Sequence, residues 1–254
     1  MSAGRITWSI AERSLKLIPR VPSTFLPSVI MPVFLVTAFA GAFSGLVLLP
    51  GFPADKAIDW FLPMATIQGA AFAGVTTGMA VARDLENGFY DRFLSSPAPR
   101  RALLAGPLLA SALRGLIPIS LLLIIAVVAG ANFYGGLAGV GTLLIACLGI
   151  AVLGGSWAVG LALRFKTQQI APLMQTGVFL AIFMSTAQMP IELLTGWLHT
   201  VARFNPMTNV LALAREGFLG EVTWAETWPG LVALAGMLAV LLFFADRGMQ
   251  KVTP

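Results

Sequence analysis

Six long apolar segments, separated by short polar ones, constrain this chain more than any other feature of its sequence. They run over residues 25–48, 60–82, 102–129, 137–163, 170–189 and 228–245. A helix needs about 20 predominantly apolar residues to cross the hydrocarbon core of a bilayer. Since 57% of the 254 residues are hydrophobic and only 11% are charged, a soluble domain is excluded. We therefore predict one all-α polytopic membrane domain over residues 1–254, with six transmembrane helices.

Lysine and arginine are unevenly divided between the two sides of such a bundle. Residues 1–24, 83–101, 164–169 and 246–254 contain twelve of them, whereas the connections on the other side contain three. Basic residues flank membrane helices mainly on the cytoplasmic side. We expect both termini and residues 83–101 to be cytoplasmic. The pI near 10.0 then reflects membrane topology, and we expect no nucleic-acid partner.

The most charged stretch, residues 83–101, lies between the second and third apolar segments. An apolar residue recurs there at every fourth position, at Leu85, Phe89 and Phe93. This spacing predicts a short amphipathic helix at the membrane surface, which Pro97 helps to end. Gly88 indicates a bend or a close packing contact within it. Two interpretations stay open: a solvated loop that only sets topology, or a docking element for a soluble partner.

The N-terminal residues 5–20 are weakly amphipathic, and Glu12 and Lys16 are spaced for an ion pair across one helical turn. They predict an interfacial helix that leads into the membrane. The basic residues are scattered among apolar ones without a compact hydrophobic stretch, so we expect no cleavable signal peptide here.

Residues 190–227 differ from the other connections. Two apolar stretches, 191–204 and 207–218, are each too short to cross a bilayer of about 30 Å, and Asn205-Pro206 separates them. This pattern predicts a re-entrant or interfacial helical hairpin on the outer side, before the last span. We expect the hairpin to dip into the outer leaflet and to close the outer end of the bundle.

Four residues of this region are candidate gate residues: Glu192, Asn205, Pro206 and Arg215. We expect Glu192 and Arg215 to be partly shielded by lipid, either paired or bound to outer headgroups.

Arg114 is a charge inside an apolar segment, and such ionisable groups are candidates for function. The alternative is that it reaches back to the cytoplasmic headgroups with its long side chain. Since residues 115–130 alone nearly suffice to cross the hydrocarbon, we expect the second arrangement.

Motifs of enzyme chemistry are missing. The sequence has no G-x-x-x-x-G-K-[ST] phosphate loop and no G-x-S-x-G elbow. The single histidine, His199, and the single cysteine, Cys147, predict neither a metal site nor a disulfide. The second to fifth apolar segments lack acidic residues, which argues against a carboxylate proton relay. We predict a protein that is not an enzyme and holds no cofactor of its own.

Three pairs of glycines have the spacing that lets membrane helices pack closely: Gly41 and Gly45, Gly74 and Gly78, and Gly135 and Gly139. They are candidate helix-packing sites.

Two motifs resemble those of ABC type-2 exporter permeases. The first is a Glu-x-Gly followed by a proline, an arginine and a glycine, here Glu86, Gly88, Pro97, Arg100 and Gly106. The second is Asn205-Pro206 with Arg215 nine residues later. The chain is most similar to the daunorubicin-resistance type of drug exporter permease. Pro107 departs from the pattern, because many members have a lysine after the glycine.

The resemblance implies a dimer of permeases, identical or paralogous, with two separate ATP-binding-cassette ATPase subunits that hold ATP and Mg²⁺. Residues 83–101 would form the coupling helix in a cleft of the ATPase, and residues 5–20 the interface helix beside it. The residues implied in coupling are Leu85, Glu86, Gly88, Phe89, Arg92, Phe93, Pro97 and Arg100. The bacterial cytoplasmic membrane, with its lipids as further partners, is the implied location.

The function this implies is ATP-driven export of a hydrophobic or amphipathic compound, drug-like or lipid-like. Export of a lipid-linked glycan or another envelope component is the alternative within transport. A membrane scaffold subunit that transports nothing is the alternative outside it.

Overall fold

The computed structural model describes residues 2–20, 25–90 and 99–252. Within these ranges the chain forms helices and no strand, as predicted. The nine α-helices there are α1 (Ala3–Lys16), α2 (Pro27–Ala42), α3 (Ala57–Glu86), α4 (Arg100–Val128), α5 (Gly136–Phe165), α6 (Ala171–Phe183), α7 (Gly196–Phe204), α8 (Met207–Leu219) and α9 (Trp224–Val252).

The helix α3 is the centre of the bundle. In its most apolar 18-residue stretch 83% of the residues are buried, against 17% in the corresponding stretch of α9. The neighbours of α3 include α2, α4, α5 and α8. Protein therefore surrounds α3, whereas most of α9 faces outward, where an apolar surface suits contact with lipid.

Glycines bring α3 and α5 together. A Cβ atom added at Gly74 would lie 2.1 Å from the carbonyl oxygen of Ala151, and one added at Gly78 would lie 2.3 Å from the Cβ of Ala158. These backbones can approach so closely only because neither glycine has a side chain. The packing predicted for Gly74 and Gly78 is confirmed.

A second glycine contact joins α5 to α8. The backbone N–H of Gly135 donates to the carbonyl of Gly217 at 2.9 Å, and a Cβ added at Gly139 would lie 2.4 Å from the Gly217 Cα. The Gly135 and Gly139 pair is therefore also a packing site. By contrast, a Cβ at Gly41 or Gly45 would meet nothing within 4 Å, so that predicted contact is wrong within the described chain.

Four helices, α3, α4, α5 and α9, are long and apolar enough to cross a membrane. The protein is therefore a polytopic helical membrane protein. The segments predicted as the first and fifth spans contain shorter helices, α2 with 16 residues and α6 with 13. At 1.5 Å per residue these are about 24 and 20 Å long, less than the hydrocarbon thickness of about 30 Å. The count of six spans stays a prediction.

The predicted N-terminal helix is present as α1, which packs against α4. A Cβ at Gly106 of α4 would lie 2.6 Å from the Cβ of Ile10, so the glycine allows α1 to lie close to α4. The predicted pair is also present, with Lys16 Nζ 2.6 Å from Glu12 Oε1.

The two extremities of α3 define two ends of the bundle. The hairpin end contains the start of α3 together with α7 and α8, which Asn205 and Pro206 separate. The α1 end contains the last turn of α3 together with α1 and the turn between α5 and α6. The two helices α7 and α8 form the predicted helical hairpin, and its depth in the membrane stays a prediction.

Candidate functional sites at the two ends of the bundle

The last turn of α3 contains the first part of the charged stretch. The helix ends at Glu86, and Gly88 follows with a φ of 66°, a left-handed conformation that glycine adopts without strain. The bend predicted at Gly88 is confirmed. Leu85 is 8% exposed and belongs to the hydrophobic core. Leu85 therefore packs inside the bundle, and the predicted stripe of Leu85, Phe89 and Phe93 stays a prediction, because Phe93 lies outside the described residues.

Three of the predicted coupling residues, Arg92, Phe93 and Pro97, lie outside the described residues. Arg100 is exposed at the first position of α4. The coupling role of the whole set stays a prediction.

A two-pronged ion pair joins α1 to the end of α3. Arg13 donates from Nη1 to Asp84 Oδ2 at 2.6 Å and from Nη2 to Oδ1 at 3.0 Å. Its guanidinium also lies 4.3 Å from the centre of the Phe89 ring. The hydrogen bond to Asp84 raises the pKa of Arg13 above its ordinary value. One arginine thus connects α1 both to α3 and to the residue that follows the Gly88 bend.

Glu86 connects the same end of α3 to the turn between α5 and α6. Its exposed carboxylate accepts hydrogen bonds from the Gln168 side-chain amide at 2.7 Å and from the Gln168 backbone N–H at 3.2 Å. The Arg83 Nε donates to the other side of the same amide, Gln168 Oε1, at 3.0 Å. Gln168 is therefore held by two charged residues in the last turn of α3, Arg83 and Glu86, and the two polar loops form one connected surface.

Arg114 does not reach the headgroups, so that expectation is wrong. It is 4% exposed and donates from Nη1 to Thr76 Oγ1 at 3.1 Å and from Nη2 to the backbone carbonyl of Ser14. Ser14 lies in the last turn of α1, where carbonyls have no partner within the helix. The arginine supplies that partner, and it joins α1, α3 and α4.

At the hairpin end, Arg215 is 2% exposed and donates to three backbone carbonyls. Its Nε bonds the carbonyl of Trp60 at 3.0 Å, and its Nη1 and Nη2 bond those of Thr186 and Ala187 at 2.7 and 2.6 Å. The guanidinium also lies 3.8 Å from the centre of the Trp60 ring. Protein surrounds Arg215, so the lipid shielding expected for this residue is wrong. Glu192 is exposed on the protein surface, and its shielding by lipid stays a prediction.

Asn205 joins the hairpin to α6. Its side-chain amide donates to the carbonyls of Ala181 and Met184, both at 2.8 Å, and its Oδ1 accepts from the backbone N–H of Met207 at 3.0 Å. One side chain thus satisfies orphan groups at the end of α6 and at the start of α8. Pro206 precedes α8 with a φ of −62°, the value that its ring favours. Arg215 and Asn205 therefore hold the same segment, residues 181–187, from two sides.

Sequence reasoning missed Glu216, which is 5% exposed beside Arg215. Its Oε1 accepts from the backbone N–H of Thr223 at 2.8 Å, and Thr227 Oγ1 lies 2.8 and 2.9 Å from its two oxygens. A charged residue in the middle of an apolar stretch was the available signal.

Glu216 lines a cavity of ≈ 710 Å³ between the hairpin, the start of α3 and the start of α9. The charged residues around this cavity are Glu192, Arg215, Glu216, Glu221 and Glu226. A volume of this size suits a drug-sized molecule.

Comparison with known proteins gives consistent matches over most of the chain. The family model described as ABC-2 type transporter matches residues 5–219. The daunorubicin resistance ABC transporter permease protein DrrB1 of Streptomyces coeruleorubidus is 25% identical over 233 residues, which are 90% of this chain and 80% of that protein. The putative transport permease ycf38 of Porphyra purpurea is 25% identical over 258 residues, covering 96% and 86% respectively. The residues matched by the family model include the α1 end and Asn205, Arg215 and Glu216 at the hairpin end, whereas Glu221 and Glu226 lie beyond the match.

Proposed function

Because this chain belongs to the ABC-2 type transporter family, we propose that it exports a hydrophobic or amphipathic compound from the cytoplasm or the inner leaflet. The chain is the membrane subunit of an ABC transporter. The energy would come from ATP hydrolysed by a separate ATPase subunit, which carries the ATP and the Mg²⁺. A second permease copy, identical or paralogous, would complete the path.

The connected surface at the α1 end is the observation that carries this proposal. Asp84 is bonded to α1 through Arg13, and Glu86 is bonded to the turn before α6 through Gln168. A displacement of the residues that follow Glu86 would therefore reach α1, α3 and α6 together. An ATPase that docks here would act on three parts of the bundle through one contact.

The class of compound is supported by two observations. The outer faces of the long helices are apolar and carry few charges, which suits a lipid-like or drug-like molecule better than a small ion. One relative carries daunorubicin resistance in its name. We therefore place the exported molecule among drug-like or lipid-like compounds.

The proposed arrangement has six spans, with both termini and the α1 end on the cytoplasmic side of a bacterial cytoplasmic membrane. The distribution of basic residues supports this orientation. In it α2, with the 3₁₀ turn Ser44–Leu48, and α6, with the turns at its two ends, supply the two spans whose α-helices are short.

Transport by reconstituted vesicles tests the proposal. This chain and the ATPase that co-purifies with it are placed in inside-out vesicles, and uptake of a fluorescent amphipathic compound is followed. We expect uptake that requires ATP and that stops with a non-hydrolysable analogue. Vesicles that take up only a lipid-linked glycan would support the alternative exporter. An ATPase whose rate is independent of this chain, without uptake of either class, would contradict export and support a scaffold role.

A further inference from the structure

A small cavity at the α1 end is lined by two arginines and, among the described residues, by no carboxylate. It has a volume of ≈ 30 Å³ and lies between the end of α1, Phe25 and α3, with Arg83 and Arg114 in its wall. Apart from Thr76, the other side chains around it are apolar. We call this cavity the arginine pocket. Two positive charges beside an apolar wall attract an anion.

The charge of Arg114 is not neutralised within the described chain. The side chain is 4% exposed, and its two terminal nitrogens donate to neutral acceptors, the hydroxyl of Thr76 and the carbonyl of Ser14. Its Nε has no acceptor, and the ion pairs of the described residues involve other side chains. Buried charges are generally paired, because their removal from water is costly. Since Arg114 stays inside the bundle, an anion that pairs with it has to enter the pocket.

Arg83 offers further donors to the same pocket. Its Nε bonds Gln168, whereas its two terminal nitrogens have neither a hydrogen-bond acceptor nor an ion-pair partner in the described structure. The carboxylates next to it in the sequence are bonded elsewhere, Asp84 to Arg13 and Glu86 to Gln168. A guanidinium with two available terminal nitrogens can hold two oxygens of one phosphate or carboxylate at once.

The volume of the pocket limits the anion to a small group. One water molecule needs about 10–15 Å³ of such a volume, so ≈ 30 Å³ admits about two oxygen atoms. The two anionic oxygens of a phosphodiester match this space, while the rest of the molecule stays at the mouth. A drug-sized molecule, which needs about 300 Å³ or more, does not fit.

The pocket runs from near the end of the bundle towards its middle. Along α3, which ends at Glu86, Arg83 lies three residues before the end and Thr76 lies ten residues before it. At 1.5 Å per residue these positions are about 5 and 15 Å from the end of the helix. A group that binds here is therefore at the level where a bilayer changes from headgroups to hydrocarbon.

An exposed apolar stripe begins beside the pocket. Phe25 lines the pocket, and Leu26, Ile30 and Phe34 follow it at successive helical turns, each at least half exposed. Exposed apolar surface on a membrane protein suits contact with acyl chains. A phospholipid combines acyl chains of this kind with a phosphodiester in one molecule.

We propose that the arginine pocket binds one anionic phospholipid, with its phosphodiester oxygens at Arg83 and Arg114 and an acyl chain along α2. A net negative headgroup is preferred, since a zwitterionic one would bring a cation close to two arginines. Leu17 and Ile18, which follow α1, line the pocket together with Ala80 of α3, so the bound lipid would join α1 to the bundle. The proposal concerns binding and does not rest on export.

Native mass spectrometry of the purified chain in a neutral detergent tests this binding without ATP or an ATPase. Dioleoyl phosphatidylglycerol is the anionic probe and dioleoyl phosphatidylcholine the zwitterionic one, and the Kd of the first bound lipid is measured for each. We expect phosphatidylglycerol to bind about tenfold more tightly, which corresponds to about 1.4 kcal/mol. Inorganic phosphate in large excess should leave the bound lipid in place, because it has no acyl chain.

Two variants assign the first bound lipid to the pocket. Arg83→Gln removes the available guanidinium and should weaken phosphatidylglycerol binding about tenfold, as expected for a lost hydrogen bond to a charged group. Ala80→Leu fills the pocket and keeps both arginines, so it should weaken binding by a similar factor. The matched controls are Arg101→Gln and Ala105→Leu, since both residues are exposed on α4 and neither lines the pocket. They should bind as the wild type does.

Equal affinity for the two lipids, or unchanged phosphatidylglycerol binding in either variant, would overturn the arginine pocket as a lipid site. Displacement of the lipid by inorganic phosphate would also overturn it, because the pocket would then recognise a free anion. Weaker binding in Arg83→Gln and Ala80→Leu with both controls unchanged would support it. Failure of export with this binding pattern intact would remove the proposed function and leave the pocket.

Discussion

Arg215 holds a full positive charge inside the bundle, with no carboxylate within 4 Å among the described residues. Its stabilisation comes instead from three backbone carbonyls and from the Trp60 ring. Two of these carbonyls, at Thr186 and Ala187, belong to the turns after α6, where no helix provides a donor. Only the planar, forked guanidinium can reach all three groups at once.

Arg215→Lys should therefore destabilise the protein although it keeps the charge. The ammonium cannot satisfy three carbonyls in this geometry, and each buried acceptor left without a partner costs about 1–3 kcal/mol. Thermal unfolding in detergent, followed by tryptophan fluorescence, measures the effect. Arg203→Lys is the matched control, because Arg203 is exposed on α7 and should keep the wild-type melting temperature. Equal melting temperatures for the two variants would show that the carbonyl contacts of Arg215 contribute little.

The sequence predicted one side-chain contact correctly and did not reveal others, for a physical reason. The Glu12–Lys16 pair was predictable because it spans one turn of one helix. The partners of the two buried arginines were not predictable. Arg114 bonds a carbonyl 100 positions away in the sequence, and Arg215 bonds one 155 positions away. A backbone carbonyl is present at every residue, so the sequence carries no signal that singles out these two.

At the scale of elements, glycines decide which helices touch. The contact of α5 with α8 is close enough to exclude any side chain at Gly139, whereas Gly141, two residues further along the same helix, faces open space. Among the predicted pairs, the glycines of α3 and α5 make such close contacts, whereas Gly41 in α2 and Gly45 after it do not. Spacing along the sequence identifies candidates, and the orientation of each helix decides among them.

A comparison of two alanine variants tests this contact. Gly139→Ala places a methyl group 2.4 Å from the Gly217 backbone, and forcing the helices apart should cost about 1–3 kcal/mol. Gly141→Ala has no such contact and should be neutral or stabilising, since alanine favours a helix by about 1 kcal/mol over glycine. Melting temperatures of the two variants provide the measurement. A loss of stability in Gly141→Ala equal to that in Gly139→Ala would contradict the packing of α5 on α8.

The element boundaries show what hydropathy alone leaves out. The long apolar segments correctly predicted α3, α4, α5 and α9, because a continuous apolar run of more than 20 residues has few alternatives. The lengths of α2 and α6 were overestimated, because both lie in apolar runs that continue beyond the helix. The end of α6 is set by the side chain of Asn205, which bonds the carbonyls of Ala181 and Met184 from another element.

On the scale of the whole molecule, the two ends of the bundle differ in charge and in construction. The α1 end is a set of charged residues on α1, α3 and the turn before α6. The hairpin end has a cavity beside Arg215 that four glutamates line. Since α3 runs from one end to the other and is buried over most of its length, it is the element through which the two ends would communicate.

The predicted orientation places the α1 end inside the cell and the hairpin end outside. In a Cys147→Ala background, single cysteines at the exposed Ser2, Arg101, Asp55 and Trp197 report the side of each position. An impermeant thiol reagent should label only Asp55→Cys and Trp197→Cys in intact cells, and all four after permeabilisation. Labelling of Arg101→Cys in intact cells would show that the α1 end lies outside the cell and would contradict the predicted orientation.

We propose that the end of α3 transmits ATP hydrolysis to the bundle, and the response of the ATPase to a transported compound tests this coupling. Compound-stimulated ATPase activity is compared between complexes reconstituted with the wild type, with Glu86→Ala and with Asp246→Ala. The Glu86 carboxylate accepts hydrogen bonds from the side chain and the backbone of Gln168, so Glu86→Ala should release Gln168 and lose most of the stimulation while assembly is retained. Asp246→Ala removes a carboxylate from the end of α9 and should respond as the wild type does. Equal stimulation and equal export in all three complexes would contradict the claim.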